Sequence, residues 1–224
     1  MEKPLAVFGA VADAHVADLP DAMGRHYREA AGRLGRASAL LAREGAQFLV
    51  EMGDLKDRGP DEASTLANLD AAARALRAFG GPVFPVLGNH DVDCIDKAAF
   101  LGGFARGLGL GAAPEPFGAH DAGGVRFVRL DCDFFPDGRE LSEGDANHRL
   151  CTVPPQQVAW LRGTLASAPG PVVAFVHSPV TGDWDSVTTN GAEIRAAFEE
   201  AGNVAAVFQA HTHSDALVRI GGIP

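Results

Sequence analysis

The stretch that decides the fold is an apolar segment that runs directly into four polar or small residues: Val83-Phe84-Pro85-Val86-Leu87-Gly88-Asn89-His90-Asp91. A short continuous apolar segment of this kind is typical of a strand buried on both faces. The same arrangement occurs twice upstream, where residues 5–11 lead into Asp13-Ala14-His15 and residues 48–52 lead into Gly53-Asp54. The N-terminal half therefore repeats an apolar strand that ends in potential ligands.

Helical patterns separate these strands. Residues 25–44 carry apolar side chains three or four positions apart, as do residues 60–79, and residues 96–108 show a weaker pattern of the same type. Alternating strands and helices predict a layered α/β fold in which functional residues lie at the carboxyl ends of strands.

The second half begins differently, with a predicted antiparallel hairpin over residues 117–130 and then a long surface loop over residues 132–154. A helix containing Val158, Leu161 and Leu165 leads to a strand at 172–176 and His177. A further helix at 192–201 and a strand at 204–208 end in His211-Thr212-His213. We expect one domain spanning residues 1–224.

The last residues predict a strand at 216–220 followed by a turn at 221–224. An edge strand left there would expose unpaired backbone groups. We therefore expect that C-terminal strands are missing from a shortened chain, or that a partner supplies a strand.

Composition excludes several classes of protein. The chain has 224 residues, 46% of them hydrophobic, and a net charge of −10, which argues against binding to nucleic acid. Without an apolar stretch near the roughly 18 residues that span a bilayer, and without a signal peptide, we expect a cytoplasmic protein with no membrane partner. The three cysteines form neither a disulfide framework nor a zinc-binding pattern. Oligomeric state is not readable from the sequence.

Five of the eight histidines directly follow apolar strands, together with several Asp and Asn residues. Each one alone is more readily explained as a turn residue or a helix cap. Their repeated position predicts that they meet at one sheet edge, where carboxylate, amide and imidazole groups bind divalent transition metals.

The ordered motifs Asp13-x-His15, Gly53-Asp54, Gly88-Asn89-His90-Asp91, His177 and His211-x-His213 resemble those of the calcineurin-like metallophosphoesterases. The resemblance implies a layered α/β/β/α sandwich with a two-metal site at the strand ends. By position, the first metal would be held by Asp13, His15 and His213, the second by Asn89, His177 and His211, with Asp54 bridging. Ala210 stands where the family usually has glycine.

A two-metal site of this kind hydrolyses phosphate esters with a metal-bridging hydroxide. The mixed nitrogen and oxygen ligands suit two divalent or mixed-valence ions of Mn, Fe or Zn. We expect His90 to act as the proton donor, with Asp91 orienting its ring. A buried turn histidine and an Asp cap are the alternatives for this pair.

Two further residues are candidates for substrate binding. Arg58, in Gly53-Asp54-Leu55-Lys56-Asp57-Arg58-Gly59, resembles the phosphate-binding arginine of protein Ser/Thr phosphatases. A surface ion pair is the alternative. Trp184 could stack a nucleobase or could instead pack on the domain surface.

A weaker resemblance, carried by residues 13–18 and 25–30, is to the manganese-dependent ADP-ribose/CDP-alcohol diphosphatases. It implies a small-molecule phosphodiester or pyrophosphate substrate, such as a nucleoside diphosphate derivative. A cyclic-nucleotide phosphodiesterase, a phosphomonoesterase and an inactive scaffold of the same fold are the alternatives. We expect the loops at 132–154 and 178–189 to set specificity.

Overall fold

The structure, a computed structural model, describes residues 5–142, 150–182 and 187–224. These residues form two units. The N-terminal unit consists of residues 7–116 with Leu141 and Ser142, and the C-terminal unit contains Leu5, Ala6 and the described residues from 117 to 140 and from 150 onward. Among the described residues, no helix combines the length and apolar character needed to cross a membrane.

The N-terminal unit contains a parallel sheet of three short strands, β1 (Gly9–Val11), β2 (Leu49–Glu51) and β3 (Val83–Pro85), in that spatial order. Each strand is shorter than its apolar segment. The apolar residues that follow β2 and β3, namely Met52, Val86 and Leu87, are still buried, whereas Leu5 and Val7 before β1 are exposed. All three strands point the same way, so the polar residues that follow them emerge at the same end of this sheet.

Three helices complete this unit: α1 (Tyr27–Arg43), α2 (Glu62–Leu76) and α3 (Lys97–Leu108). Helix α2 begins at a capping box, in which Asp61 accepts a hydrogen bond from the Ser64 N–H and the Ser64 hydroxyl pairs with the Asp61 N–H. Helix α3 is capped by Asp96, which accepts from the Ala99 N–H. Their apolar faces form a core that includes Leu69, Leu76, Phe100 and Phe104.

Helices α2 and α3 pack closely because α3 contains glycine where the two approach. A Cβ atom added at Gly107 would lie 2.4 Å from the Cβ of Ala73, whereas one added at Gly102 would meet nothing within 4 Å. Gly107→Ala should therefore lower the free energy of unfolding, although alanine favours helix by about 1 kcal/mol over glycine. Gly102→Ala, on the same helix, should raise it by about 0.5–1 kcal/mol. Urea unfolding of both variants tests this; a stabilised Gly107→Ala variant would contradict it.

The C-terminal unit contains a four-stranded sheet in the order β4 (Gly118–Ala122), β5 (Val125–Arg129), β6 (Val172–Val176) and β7 (Val204–Gln209). Strands β4 and β5 are antiparallel and the other neighbours are parallel. Gly123 and Gly124 join β4 to β5 with φ of 59° and 77°, the backbone of a tight hairpin turn. Two helices, α4 (Pro155–Ala166) and α5 (Gly191–Ala201), provide the crossovers between the parallel strands.

His120 on β4 provides a pH-sensitive contribution to stability. Its ring stacks on Phe127 at 5.4 Å, and burial followed by the charge of Arg129 lowers its pKa from 6.5 to about 4. Between those values the unfolded chain binds a proton that the folded chain does not, so stability is lost as the pH falls from 6.5 to 4. We expect a loss of about 1–2 kcal/mol after solvent screening. Urea unfolding at several pH values should show this component in the wild type and not in His120→Gln; equal pH dependence would contradict it.

The structure corrects two expectations for the second half. Residues 216–220 do not form a strand: Ile220 pairs with Ile223 across the Gly221-Gly222 turn, and the Val207 N–H donates to the Pro224 carbonyl. The described part of 132–154 is a loop that lies on the surface only at residues 136–140 and 150, because Cys132, Asp133, Leu141, Cys151 and Val153 are fully buried. Short bridges such as Asp133 with Thr152 hold this segment without a regular pattern.

Candidate metal centre

The polar loops after β1 and β2 run side by side. The N–H groups of Asp13, His15 and Val16 donate to the carbonyls of Gly53, Asp54 and Leu55 at 2.9–3.0 Å. Asp13, His15 and Asp54 have φ of 51°, 47° and 54°, in the left-handed region that non-glycine residues seldom adopt. Backbone strain of this kind is concentrated at functional sites, where the surrounding structure enforces it.

These loops bring three predicted ligands together within the N-terminal unit. One ligand atom from each of Asp13, His15 and Asp54 lies within 4.8 Å of the other two. The distance between His15 Nε2 and Asp54 Oδ2 is 3.7 Å, and both side chains are buried. This cluster has the donor types and spacing of a transition-metal site.

The loop after β3 supplies a further oxygen. Asn89 is buried, and its Oδ1 has no hydrogen-bond partner among the residues that the structure describes. A buried carbonyl oxygen without a partner costs free energy unless something else compensates it. A metal ion would do so, and Asn89 therefore fits the ligand role that the sequence predicts. Nearby, the His90 N–H donates to Asp54 Oδ1 at 2.9 Å, which ties this loop to the one after β2.

A carboxylate that sequence reasoning did not assign to His90 lies against its ring. Asp57 Oδ1 is 2.5 Å from His90 Nδ1 and 3.1 Å from His15 Nδ1. Burial alone would raise the pKa of Asp57, but hydrogen bonds to these two rings hold it well below its usual range. The ionised carboxylate can only accept, so both Nδ1 atoms donate and both Nε2 atoms face elsewhere.

The charge of His90 responds to the same contacts. Burial alone would lower its pKa, but the hydrogen bond to Asp57 and the charges of Asp54 and Asp57 raise it. The side chain remains partly exposed, with 24% of its surface accessible. His90 can therefore carry a proton near neutral pH and remain reachable, as a proton donor must.

Asp91 has a different place from the one that the sequence suggested. Its carboxylate accepts hydrogen bonds from the backbone N–H groups of Gly88, Asp54 and Leu55 at 2.9–3.0 Å. The residue that meets the His90 ring is Asp57, which corrects the expectation that Asp91 orients it. Asp91 instead joins the loops after β2 and β3, and the buried Lys56 adds a hydrogen bond from Nζ to the His90 carbonyl.

Replacing Asp91 with asparagine should destabilise the N-terminal unit. One carboxylate oxygen would become an NH2 group facing backbone N–H donors, which leaves buried donors unsatisfied at a cost of about 2–3 kcal/mol. The matched control is Asp96→Asn at the cap of α3, where asparagine is as good as aspartate. Urea unfolding should separate the two variants; equal stabilities would contradict this role.

The C-terminal unit brings two predicted ligands together at the ends of β6 and β7. His177 Nε2 and His211 Nδ1 are 3.2 Å apart, and the two rings are nearly perpendicular. Two imidazole nitrogens each about 2.0–2.1 Å from one ion lie at about this separation. His211 and His213 have φ of 70° and 51°. The left-handed backbone thus recurs at the candidate ligands of both units.

Of the two candidate substrate-binding residues, only Arg58 lies in the described part of the chain. Arg58 is 60% exposed, and its Nη1 lies 3.5 Å from Oδ1 of Asp93, whose side chain is only 9% exposed. This ion pair has a buried partner and so differs from the surface ion pair given as the alternative. Binding of substrate by Arg58 stays a prediction. Trp184 lies outside the described residues. So do residues 143–149 and 183–186, which belong to the two loops predicted to set specificity.

An α/β fold with histidine, aspartate and asparagine side chains at the strand ends defines a metallophosphoesterase-like class of protein. The sequence pattern of the family described as calcineurin-like phosphoesterase matches residues 6–215. The chain belongs to the calcineurin-like phosphoesterase family. The predicted family and fold class are thereby confirmed, and transition metals fit the donor sets described above.

More specific similarity is partial. The chain is 32% identical over 94 residues to the manganese-dependent ADP-ribose/CDP-alcohol diphosphatase of Arabidopsis thaliana, covering 39% of this chain and 30% of that protein. It is 35% identical over 109 residues to the corresponding protein of Danio rerio, covering 45% and 34%. The matched segments thus amount to about a third of these relatives.

A solved structure shows the same fold over most of the chain. It is a dimetal phosphatase from Danio rerio, with a TM-score of 0.75 at 23% identity, and the match covers 94% of this chain and 82% of that one. A purple acid phosphatase from yellow lupin matches with a TM-score of 0.56 at 13% identity, covering 94% and 39%.

Proposed function

We propose that this protein hydrolyses a phosphodiester or pyrophosphate bond of a small molecule with the aid of two metal ions. The observation that carries the proposal is the left-handed backbone at five candidate ligands, within the segment that matches the family: Asp13, His15, Asp54, His211 and His213. Of the six non-glycine residues with positive φ in the part of the chain that the structure describes, five are these candidate ligands, and strained backbone is concentrated at functional sites.

In this proposal a first ion would be held by Asp13, His15 and His213, and a second by Asn89, His177 and His211. Asp54 would be the ligand shared by the two ions. When bound, such an ion pair polarises phosphoryl oxygens, lowers the pKa of a bound water and stabilises the entering and leaving oxygens.

Residues of the chain itself supply the proton that the leaving oxygen needs. Asp57 accepts a hydrogen bond from Nδ1 of His90 and raises the pKa of the ring, which favours the imidazolium. The imidazolium carries a second proton on Nε2, and His90 gives that proton to the leaving oxygen and becomes neutral. Lys56 holds the His90 carbonyl and Asp54 holds the His90 N–H, so the backbone that carries the ring is fixed on both sides. Asp91 acts through the backbone of the adjacent loops.

A nucleoside diphosphate derivative is the substrate that we propose. Support comes from relatives named as ADP-ribose/CDP-alcohol diphosphatases, although they match over only part of the chain. The Arg58 side chain is 60% exposed beside Asp93, so its guanidinium can turn toward a phosphate. Trp184 is proposed to stack the base.

A substrate panel tests this function. Protein purified without chelators is assayed with Mn²⁺ on bis(4-nitrophenyl) phosphate, ADP-ribose, a CDP-alcohol, cyclic AMP and 4-nitrophenyl phosphate. We expect hydrolysis of the diester and of the pyrophosphates, and elemental analysis should find two ions per chain. Preference for cyclic AMP would instead identify a cyclic-nucleotide phosphodiesterase, and preference for the monoester a phosphomonoesterase. No hydrolysis by metal-loaded protein would favour a scaffold.

A further inference from the structure

Arg25 is presented to the candidate centre by a tight turn. The Arg25 N–H donates to the Ala22 carbonyl at 2.8 Å, and the two residues between them, Met23 and Gly24, both have positive φ. The turn ends just before helix α1 begins at Tyr27. The turn holds the backbone before Arg25 and helix α1 follows shortly after it, so the position of its Cα and Cβ atoms is well defined.

The guanidinium of Arg25 makes a charged hydrogen bond to Asp57. Its Nη1 donates to Asp57 Oδ2 at 3.1 Å, and the arginine side chain is only 18% exposed. The other oxygen of the same carboxylate, Oδ1, lies against Nδ1 of both His15 and His90. The Asp57 carboxylate therefore binds the Arg25 guanidinium with Oδ2 and the two imidazole rings with Oδ1.

This division of oxygens makes the orientation of the carboxylate important. If Asp57 rotated about its Cβ–Cγ bond, Oδ1 would leave the two rings, and each ring could then change tautomer or tilt. The rings lie edge to face with centroids 4.9 Å apart, so a tilt of either one affects the other. The backbone of Asp57 is held separately, since its N–H donates to the Val16 carbonyl and its carbonyl accepts from Asn68.

We propose that Arg25 is a positioning residue for His15 and His90, which acts by holding the Asp57 carboxylate in the orientation that serves both rings. It touches neither ring in this role and need not touch substrate. For its kinetic consequence the inference rests on the proposed function, with His15 as a metal ligand and His90 as the proton donor. Residues that orient ligands and catalytic groups in this way typically change metal affinity or activity by about 10–100-fold when removed.

The variants are chosen to separate this role from a general structural one. Arg25→Gln removes the charge and keeps some length, and Arg25→Lys keeps a single charged donor, which is all that the Nη1 contact uses. Arg28→Gln is the matched control, because Arg28 makes a similar ion pair with Asp18 at 2.7 Å but is 63% exposed. Melting curves of all variants confirm that comparisons are made between folded proteins.

The first measurement needs no metal and no substrate. In ¹⁵N-histidine-labelled, metal-free protein, with signals assigned from His15→Gln and His90→Ala, we expect His15 and His90 to be protonated at Nδ1. Arg25→Gln should shift both pairs of ring-nitrogen signals, Arg25→Lys should largely restore them, and Arg28→Gln should leave them unchanged. Unchanged signals in a folded Arg25→Gln protein would overturn the proposal, whether or not the proposed hydrolysis is observed.

The second measurement is kinetic. With metal and a diester substrate, Arg25→Gln should lower kcat by about 10–100-fold, with KM changed by less than about twofold. Arg25→Lys should recover most of the loss. A raised KM with unchanged kcat would show that Arg25 binds substrate directly, and would overturn the positioning role. If the wild type has no activity, the proposed function fails while the nitrogen spectra still decide on Arg25.

Discussion

Asp54→Asn is expected to remove bound metal and phosphodiesterase activity together while leaving the fold intact. A carboxylate can give one oxygen to each of two ions, whereas an amide offers a single oxygen and an uncharged one. The fold should tolerate asparagine because it accepts left-handed backbone, here φ of 54°, and can still accept the His90 N–H at Oδ1. We expect kcat/KM to fall by at least about 10³, which is comparable to or larger than the loss of one proton-transfer group.

Metal content and stability are measured on the same preparation. Elemental analysis should find less than one ion per chain, while circular dichroism and melting of the chelator-treated proteins should match the wild type. The control is Asp70→Asn, which loses an exposed carboxylate paired with Arg74 on α2 and should keep full metal and activity. If Asp54→Asn retained two ions and the wild-type rate, Asp54 would not bridge the centre.

Periodicity and strand-end chemistry together predicted most of the architecture. The helices at 27–43, 62–76 and 97–108 fall within or close to the predicted stretches, because capping residues and apolar stripes mark them locally. Strands β2 and β3 are shorter than their apolar segments. Burial extends past the hydrogen-bonded part of these two strands, to Met52 and to Val86 and Leu87, and hydrophobicity alone reports burial.

The partner of His90 could not be predicted by the same means. Asp91 is adjacent in sequence, but its carboxylate turns to the backbone of two neighbouring loops, and Asp57 from another loop meets the ring. Such a choice depends on how parallel loops align in three dimensions. The only local signal for this contact is the three-residue spacing of Asp54 and Asp57, which by itself points equally to the neighbouring Arg58.

For the C-terminal residues, the sequence predicts a strand that the structure does not contain. Residues 216–220 have the composition of a strand, yet only Ile220 makes a bridge, and the partner lies three residues away. Strand propensity reports fitness for a pleated, half-buried surface and does not supply the neighbouring strand that the ladder needs. Leu217 is accordingly 84% exposed.

His90→Ala is expected to keep both metal ions and to lower kcat by about 10²–10⁴ for a substrate with an alkyl leaving group. We assign the ring to proton donation because Asp57 contacts Nδ1 and the side chain stays partly exposed. The ligand oxygen of this loop is proposed to come from Asn89, whose buried Oδ1 has no hydrogen-bond partner among the described residues. Removing the ring leaves the His90 backbone contacts with Asp54 and Lys56 in place, so the ligand loop should keep its position.

The loss of kcat in His90→Ala should depend on the leaving group of the substrate. Nitrophenolate departs without much help from an acid, whereas an alkoxide leaving group needs a proton in the transition state. We therefore expect a small loss of kcat with bis(4-nitrophenyl) phosphate and a loss at least about tenfold larger with a diester that has an alkyl leaving group. His26→Ala, which removes an exposed histidine paired with Asp21, should be neutral with both substrates. Loss of metal from His90→Ala would show that His90 is a metal ligand. Equal losses of kcat with the two leaving groups would mean that its ring stabilises charge on the phosphoryl group instead of protonating the leaving oxygen.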